Sequence, residues 1–396
     1  MISSIRKAYN QSFKKEKYEL FLKELDALHS GALDFRIAET PVFIDNDIKD
    51  KILSVCEYII QVIKSNEFKK QTQNAIPSGE SFPNQNNIPQ CLTFDFGICI
   101  DQNKEYYPAL IELQAFPSLY GFQAVYPSIL EKHFSIPENF SCFFNGMNRN
   151  FYEKYLKEFL LGNHKPEEVI LLEIKPHQQK TRIDFYITEQ ITGIHPVCVT
   201  ELRAENKKLY YLRNGKKLYI KRIYNRVIID ELKSESKSLG NIIDLREDWD
   251  VEWMPHPNWF YQISKYLLPF LNHKYVPETY FLNNIKTLPN DLENYVLKPL
   301  FSFAGQGVVI DVKKDDIDKI SDKQNWILQK KVEYAPCIET PDGPAKTEIR
   351  MMYLWKEGDE NPTLVTNLAR LSKGKMIGTR YNKDKEWVGG SVAYFK

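Results

Sequence analysis

Apolar positions recur at helical spacing over residues 5–30 (Tyr18, Phe21, Leu22, Leu25, Leu28) and again over residues 48–64 (Ile52, Leu53, Cys56, Ile59, Ile60, Ile63), with lysines and glutamates between them. That three-to-four residue repeat predicts surface helices packed by one face. The next stretch, QTQNAIPSGESFPNQNNIPQ (71–90), mixes Pro, Asn, Gln, Ser and Gly without a period. Turn chemistry of this length predicts a mobile loop, either a lid or a loose connection. From Cys91 the pattern becomes extended: CLTFDFGICI, the polar turn DQNKEYYP, then ALIELQAF predict two strands joined by a turn.

Further on, VILLEI (169–174) reads as a buried strand, QKTRIDFYITEQIT (179–192) as an amphipathic helix and HPVCVTEL (195–202) as the next strand. Strand, helix, strand predicts a small parallel α/β unit. A hairpin-like segment (207–232) follows, with Asn214-Gly215 as its turn, and KSESKSLGN (233–241) reads as a linker. Beyond the Pro- and Trp-rich EWMPHPNWF (252–260), a helix ISKYLLPFL leads into VPETYFL, YVLKPLFSFAGQGVVIDV, WILQKKVEY, TEIRMMYLW and TLVTNLARLSKGK, a run of strands. The chain thus divides into a helical region (1–90), a strand pair with its surroundings (91–149), a central α/β unit (150–245) and a β-rich unit (250–396). The expected fold class is mixed, α+β with an α/β part, without internal repeats or heptads.

Composition narrows the partners. Lys+Arg 53 against Asp+Glu 52 leaves a net charge of +1, so no bulk field draws the molecule to nucleic acid or an anionic membrane. No basic stripe interleaved with aromatics is evident along the sequence. At 43% hydrophobic and 27% charged the chain is not of a disordered class. The six cysteines (56, 91, 99, 142, 198, 337) form no CxxC pair or Cys/His cluster, which excludes a zinc motif and a disulfide framework and suits a reducing cytoplasm. The N-terminus lacks an apolar signal core and the longest apolar runs are too short to span a bilayer, so a soluble cytoplasmic protein is expected. The seven histidines show no ligand spacing, and Trp253, Trp259, Trp326, Trp355 and Trp387 are expected to pack rather than stack on bases.

The chemistry concentrates in YVLKPLFSFAGQGVVIDV. Lys298 ends one strand, and Ser302, Gly305 and Gly307 lie in a loop before another. Phosphate oxygens need closely approaching backbone N–H groups and a lysine charge, which this loop supplies; a plain hairpin loop with turn glycines is the alternative. GxxxxGK[ST] is absent and the loop leads into a strand, so it is neither a Walker loop nor a Rossmann fingerprint. Lys265 lies 33 residues before Lys298. WILQKKVEY, with Gln329, Lys331 and Glu333, has the form of a hinge against an adenine edge. Strand alternation puts Glu348 and Arg350 on one face, paired with each other or facing a ligand, and puts Asn367 and Arg370 on opposite faces. Arg370, by its charge, is the one expected at the phosphates. Asp95 lies on one strand and Glu112 and Gln114 two apart on the next. A carboxylate inside ALIELQAF calls for a metal or a salt bridge. Magnesium takes one or two carboxylates plus substrate phosphates, which makes these three candidate ligands.

The order of lysine, VPxT, K-P-x-x-S-x-x-G-x-G-V, hinge, (D/E)xR strand and later arginine resembles the nucleotide-binding half of the ATP-grasp superfamily, over about residues 255–375. The family's metal-binding end is similar to residues 93–121, which precede that half. The order therefore resembles the circularly permuted ATP-grasp group, similar to glutathionylspermidine synthetase. YIKRIYNRVIIDEL is similar to a tyrosine-arginine element of permuted members. The resemblance implies a circularly permuted ATP-grasp fold with an additional small pre-ATP-grasp-like α/β domain. It also implies ATP and Mg²⁺ as cofactors, and a ligase joining a small-molecule or peptide carboxylate to an amine through an acylphosphate. On that reading Lys265, Lys298, Ser302, Gly305, Gly307, Gln329, Lys331 and Glu333 bind ATP, Asp95, Glu112 and Gln114 hold the metal, and Arg350 and Arg370 serve catalysis. Gln114 stands where the family usually has Asn, one methylene longer. Lys175, Gln179, Lys180 and Thr181, in the loop beyond a parallel strand, and Arg226 are candidate substrate contacts. A phosphotransferase and a non-catalytic nucleotide-binding regulator are the alternatives.

Overall fold

The computed structural model describes residues 2–302, 305–375, 377 and 382–396, with the side chain of Ser236 excepted. The first periodic segment is two helices, α1 (Ser3–Ser12) and α2 (Lys15–Ala27), not one. Phe13 takes an extended conformation between them and stacks on Phe134, with centroids 5.9 Å apart. A short strand β1 (Val42–Ile44) precedes α3 (Asn46–Lys64), capped by the Asp45 carboxylate, and α4 (Asn66–Thr72). Residues 73–90 are irregular, yet tied down. Asn258 exchanges hydrogen bonds with Phe82, His256 meets the Pro83 carbonyl and Trp259 donates to Asn86.

β2 (Cys91–Ile100) and β3 (Tyr106–Gln114) form the expected pair, followed by α5 (Tyr120–His133) and α6 (Arg149–Leu161). β4 (Val169–Glu173), α7 (Arg182–Thr192) and β5 (His195–Cys198) make the expected parallel unit. β6 (Arg203–Glu205), β7 (Lys208–Arg213) and β8 (Lys216–Tyr219) form a small sheet, with Asn214 and Gly215 both left-handed in the turn. The hairpin ends there. β9 (Arg222–Asn225) leaves it to run parallel to β4, and β10 (Glu252–Met254) completes the order β10-β9-β4-β5. Between them the presumed linker is a helix, α8 (Ile229–Leu239). Its few apolar residues, Ile229, Leu232 and Leu239, pack on the core of this unit, so tertiary burial holds a segment whose composition reads as loop.

After α9 (Asn258–Gln262) the expected helix ISKYLLPFL is a 3-10 turn, Lys265–Phe270, because Pro269 cannot continue an α-helix. β11 (Thr279–Phe281), β12 (Tyr295–Pro299), β13 (Val309–Ile310) and β14 (Trp326–Lys330) form a four-stranded antiparallel sheet, order β11-β14-β12-β13. Helix α10 (Lys314–Asp318) packs with that sheet's own small core of Leu282, Leu297, Val312, Ile317 and Leu328. β15 (Lys346–Leu354), β16 (Thr363–Ser372) and β17 (Gly389–Ser391) join β2 and β3 in one sheet, order β17-β16-β15-β2-β3. β18 (Ala393–Phe395) pairs in parallel with β1, so the two ends of the chain close on each other. Strands from residues 91–114 and 346–391 thus share a ladder, and this brings the distant candidate residues together.

Candidate functional site

Lys298, Gln329 and Thr279 share one face of the four-stranded sheet, because Lys298 pairs with Ile327 and Thr279 with Gln329. The Lys298 ammonium donates to Gln329 Oε1 at 2.6 Å, and Gln329 Nε2 donates to Thr279 Oγ1 at 3.0 Å. The Lys298 ammonium also donates across to the five-stranded sheet, to the Ile111 carbonyl at 3.2 Å. The β2–β3 register passes from Asp95–Glu112 to Phe96–Leu110, so Ile111 is the extra residue of a bulge. Burial lowers the Lys298 pKa to about 8, with Glu112 opposing the shift and Lys265 adding to it.

Lys265, almost fully buried, donates to the Ser302 carbonyl at 2.7 Å and lies 3.3 Å from Glu112 Oε1. The Ser302 hydroxyl is buried and has no partner among the described residues. Phe303 and Ala304 lie outside them, while Gly305 and Gly307 take left-handed φ of 71° and 74°. Gly307 also packs close: a Cβ there would lie 3.1 Å from Pro299 Cγ.

The expected metal ligands are engaged otherwise. Arg350 stands opposite Asp95 in the β2–β15 ladder, and its Nε and Nη2 donate to the two Asp95 oxygens at 2.6 and 2.7 Å. Arg370 adds a bond to Asp95 Oδ2 at 2.7 Å and lies 2.9 Å from Glu348 Oε2. Tyr334 OH donates to Glu348. With its amide oxygen turned to the guanidinium, Gln114 accepts from Arg350 at 3.0 and 2.8 Å. Burial alone would raise the Asp95 carboxyl; Arg350 and Arg370 outweigh it and hold it below the ordinary carboxylate range. For Glu348 burial wins and its pKa rises. Glu112, with a third of its side chain exposed, has Lys265 3.3 Å from one of its oxygens. Among the described residues no group of three His, Cys, Asp or Glu is placed to hold a metal ion.

Glu348 and Arg350 share one face, as alternation predicts, and the β15–β16 register brings Arg370 opposite Glu348. Asn367 points the other way and is spent on the Cys142 and Ala393 carbonyls. Of the hinge residues Gln329 reaches the site. Lys331 pairs with Asp311 at 2.7 Å, and the exposed Glu333 offers its carbonyl to Ile100 N. Thr279 is the last residue of the VPxT motif, whereas Tyr334 went unremarked in sequence although it lies in the segment read as a hinge. Gly97 allows Tyr334 to reach Glu348: a Cβ at position 97 would lie 2.6 Å from Tyr334 Cε1. Gly97→Ala should lower stability by about 1–3 kcal/mol in urea titration, and Tyr334→Phe should relieve none of it, because the clash is with the ring.

The substrate candidates lie at the C-terminal edge of the parallel sheet. Lys175 is paired with Glu235 at 2.6 Å, Gln179 donates to the Ile174 carbonyl, Lys180 is exposed, and Thr181 precedes α7. Arg226 is buried over the rings of Phe116 and Phe185, at 5.0 and 5.4 Å, with Nε and Nη1 unpartnered among the described residues. Beside it burial pushes Glu173 up to about 8, with Arg226 opposing. A carboxyl whose folded pKa exceeds its unfolded one stabilises fully below the unfolded value, and that contribution is lost as pH rises through the folded value. Glu173→Gln should therefore be more stable than wild type at pH 8.5 and lose that advantage by pH 5, as read from urea midpoints.

A basic and aromatic face does form on folding, contrary to the linear reading. Lys208, Tyr210, Lys217 and Tyr219 share one face of the β6–β8 sheet. Lys217 is spent on Glu205 at 2.9 Å and covers Tyr210, 4.4 Å from its ring. Trp253, Trp259, Trp355 and Trp387 are buried, as expected of packing residues. All six cysteines are buried free thiols. Among the described residues no helix is long and apolar enough to cross a membrane.

No family model matches the chain, and no curated protein does. Among solved structures it is similar to the apo form of a glutathione synthetase-like effector from Globodera pallida, with 11% identity, 96% of each chain covered and a TM-score of 0.54. At that identity the likeness is one of fold: the chain has a mixed α/β architecture akin to that of a glutathione synthetase-like protein.

Proposed function

We propose that the protein is an ATP-dependent carboxylate–amine ligase of permuted ATP-grasp architecture, holding ATP between its four- and five-stranded sheets. The observation that carries this reading is Lys298, a buried ammonium bonded to both sheets, with Lys265 and a glycine loop beside it. Such a cluster offsets polyphosphate charge by position and electrostatics alone. The neighbour's description as glutathione synthetase-like points the same way.

In the reaction an oxygen of the acid attacks the γ-phosphorus and the bond to the ADP oxygen breaks. The amine then attacks the acyl carbon, phosphate leaves and the amine gives up a proton. Lys265 and Lys298 offset the phosphate charge, and Arg370, exposed over about a third of its side chain, faces the transferring group. Arg226, with two unpartnered nitrogens, is the anchor for the acid, and Lys175, Gln179, Lys180 and Thr181 line the approach. Magnesium fits poorly. Both Asp95 oxygens and the Gln114 oxygen are on guanidinium groups, so an ion carried in on the phosphates meets Glu112 alone of the three. That geometry favours a second reading, a nucleotide-binding protein without ligase turnover.

Calorimetry with ATP, followed by an ADP-release assay over pools of carboxylic acids and amines, separates the two. ADP release that requires both acid and amine supports the ligase, and binding without release supports the second reading. Failure to bind ATP overturns both.

A further inference from the structure

We infer that Arg350 is a built-in cation that stands in for a metal between Asp95 and Gln114, so that nucleotide phosphates are taken up without a divalent ion held by these residues. The inference deepens the nucleotide-binding reading and rests on it.

The Arg350 guanidinium uses one fork for both oxygens of Asp95 and the other for the amide oxygen of Gln114. These are two of the three oxygen-bearing side chains whose spacing reads as a metal site. A planar guanidinium with five N–H donors satisfies such a set bidentately, as no point charge can. The arrangement is not a loose surface pair. The Asp95 side chain is 2% exposed and that of Arg350 9%, and the two residues are direct partners in the β2–β15 ladder. Arg350 is therefore fixed at its root, directly opposite Asp95.

The charges around the site agree. Lys265, Lys298, Arg350 and Arg370 face Asp95, Glu112 and Glu348, four cations against three carboxylates, for a local net charge of +1. Every one of those carboxylates already has a cationic partner within 3.3 Å. A site with that balance attracts an anion. A divalent ion entering at Asp95 must first displace the bidentate Arg350 guanidinium.

Manganese titration of the nucleotide-free protein, read by the loss of free Mn²⁺ signal in electron paramagnetic resonance, tests the metal directly. ATP affinity measured by calorimetry with Mg²⁺ and with EDTA tests the consequence. Wild type is expected to hold no Mn²⁺ at submillimolar concentration and to bind ATP in EDTA within about threefold of its affinity in Mg²⁺. Arg350→Gln is expected to tighten Mn²⁺ binding at least tenfold, and Asp95→Asn added to it to remove the gain. Wild-type Mn²⁺ binding that Asp95→Asn abolishes, or ATP binding that vanishes in EDTA, overturns the inference. Should Arg350→Gln fail to fold, the wild-type titration and the EDTA comparison still decide. Absence of ATP binding in either medium instead refutes the nucleotide reading, and the Mn²⁺ result then stands alone on Arg350.

Discussion

Lys298→Met will weaken ATP binding at least a hundredfold at pH 7, a loss of about 3 kcal/mol. Among the described residues the ammonium has no carboxylate bonded to it. Its partners are the neutral Gln329 amide and the Ile111 carbonyl, so a phosphate oxygen is the counter-charge it lacks. Charge-assisted hydrogen bonds are worth about 1.5–3 kcal/mol each, more where water is excluded. The pH dependence is the sharper test. With a pKa of about 8, Lys298 is charged below that pH and neutral above it. ATP affinity will be nearly flat from pH 6.5 to 7.5 and will fall by up to tenfold per unit above 8, with proton uptake on binding in the same range. Lys298→Met will lose that slope. The substitution should not unfold the protein: the folded pKa lies below the ordinary lysine value, so burying this ammonium costs stability at neutral pH, and methionine removes the cost. Calorimetry from pH 6.5 to 9.5 checks both claims. Unchanged affinity between pH 7 and 9.5 in wild type would show that Lys298 does not face the phosphates.

The reason Lys298 was legible from sequence, while the surroundings of Asp95 were not, is physical. A lysine at a strand end beside Ser302, Gly305 and Gly307 is a local pattern, and local patterns survive in the linear chain. So is the alternation that sets Glu348 and Arg350 on one face. Arg350 is 255 positions from Asp95 and Arg370 is 275, and no periodicity records which strands become neighbours. The order β17-β16-β15-β2-β3 settles that Asp95 faces an arginine. The bulge at Ile111, which frees a carbonyl for Lys298, was likewise not read from ALIELQAF, which reads simply as an apolar strand. Helix α8 was missed for a related reason. Three apolar residues among lysines, serines and glutamates make a weak helical signal, and only the core they pack on turns it into structure.

Asp95→Ala will cost about 3–5 kcal/mol of folding stability, the range for removing one partner from a buried ion pair. Three guanidinium hydrogen bonds are lost at once, leaving Arg350 and Arg370 as two neighbouring cations with Glu348 and Glu112 to share among four. The melting temperature should drop by about 4–6 °C. Asp95→Asn, which keeps an acceptor but no charge, should fall between, and Arg350→Met combined with Asp95→Ala should recover part of the loss, because the stranded charge goes with it. The sign of the pH dependence follows from the depressed carboxyl. A group whose folded pKa lies below its unfolded one contributes stability above the unfolded value and loses it as pH falls through the folded value. The gap between wild type and Asp95→Ala should therefore be constant from pH 5 to 8 and shrink below about pH 4, the ordinary range for an aspartate. A gap that instead widened on acidification would place the proton on Asp95 in the folded protein, and the arginines would then be held by something else.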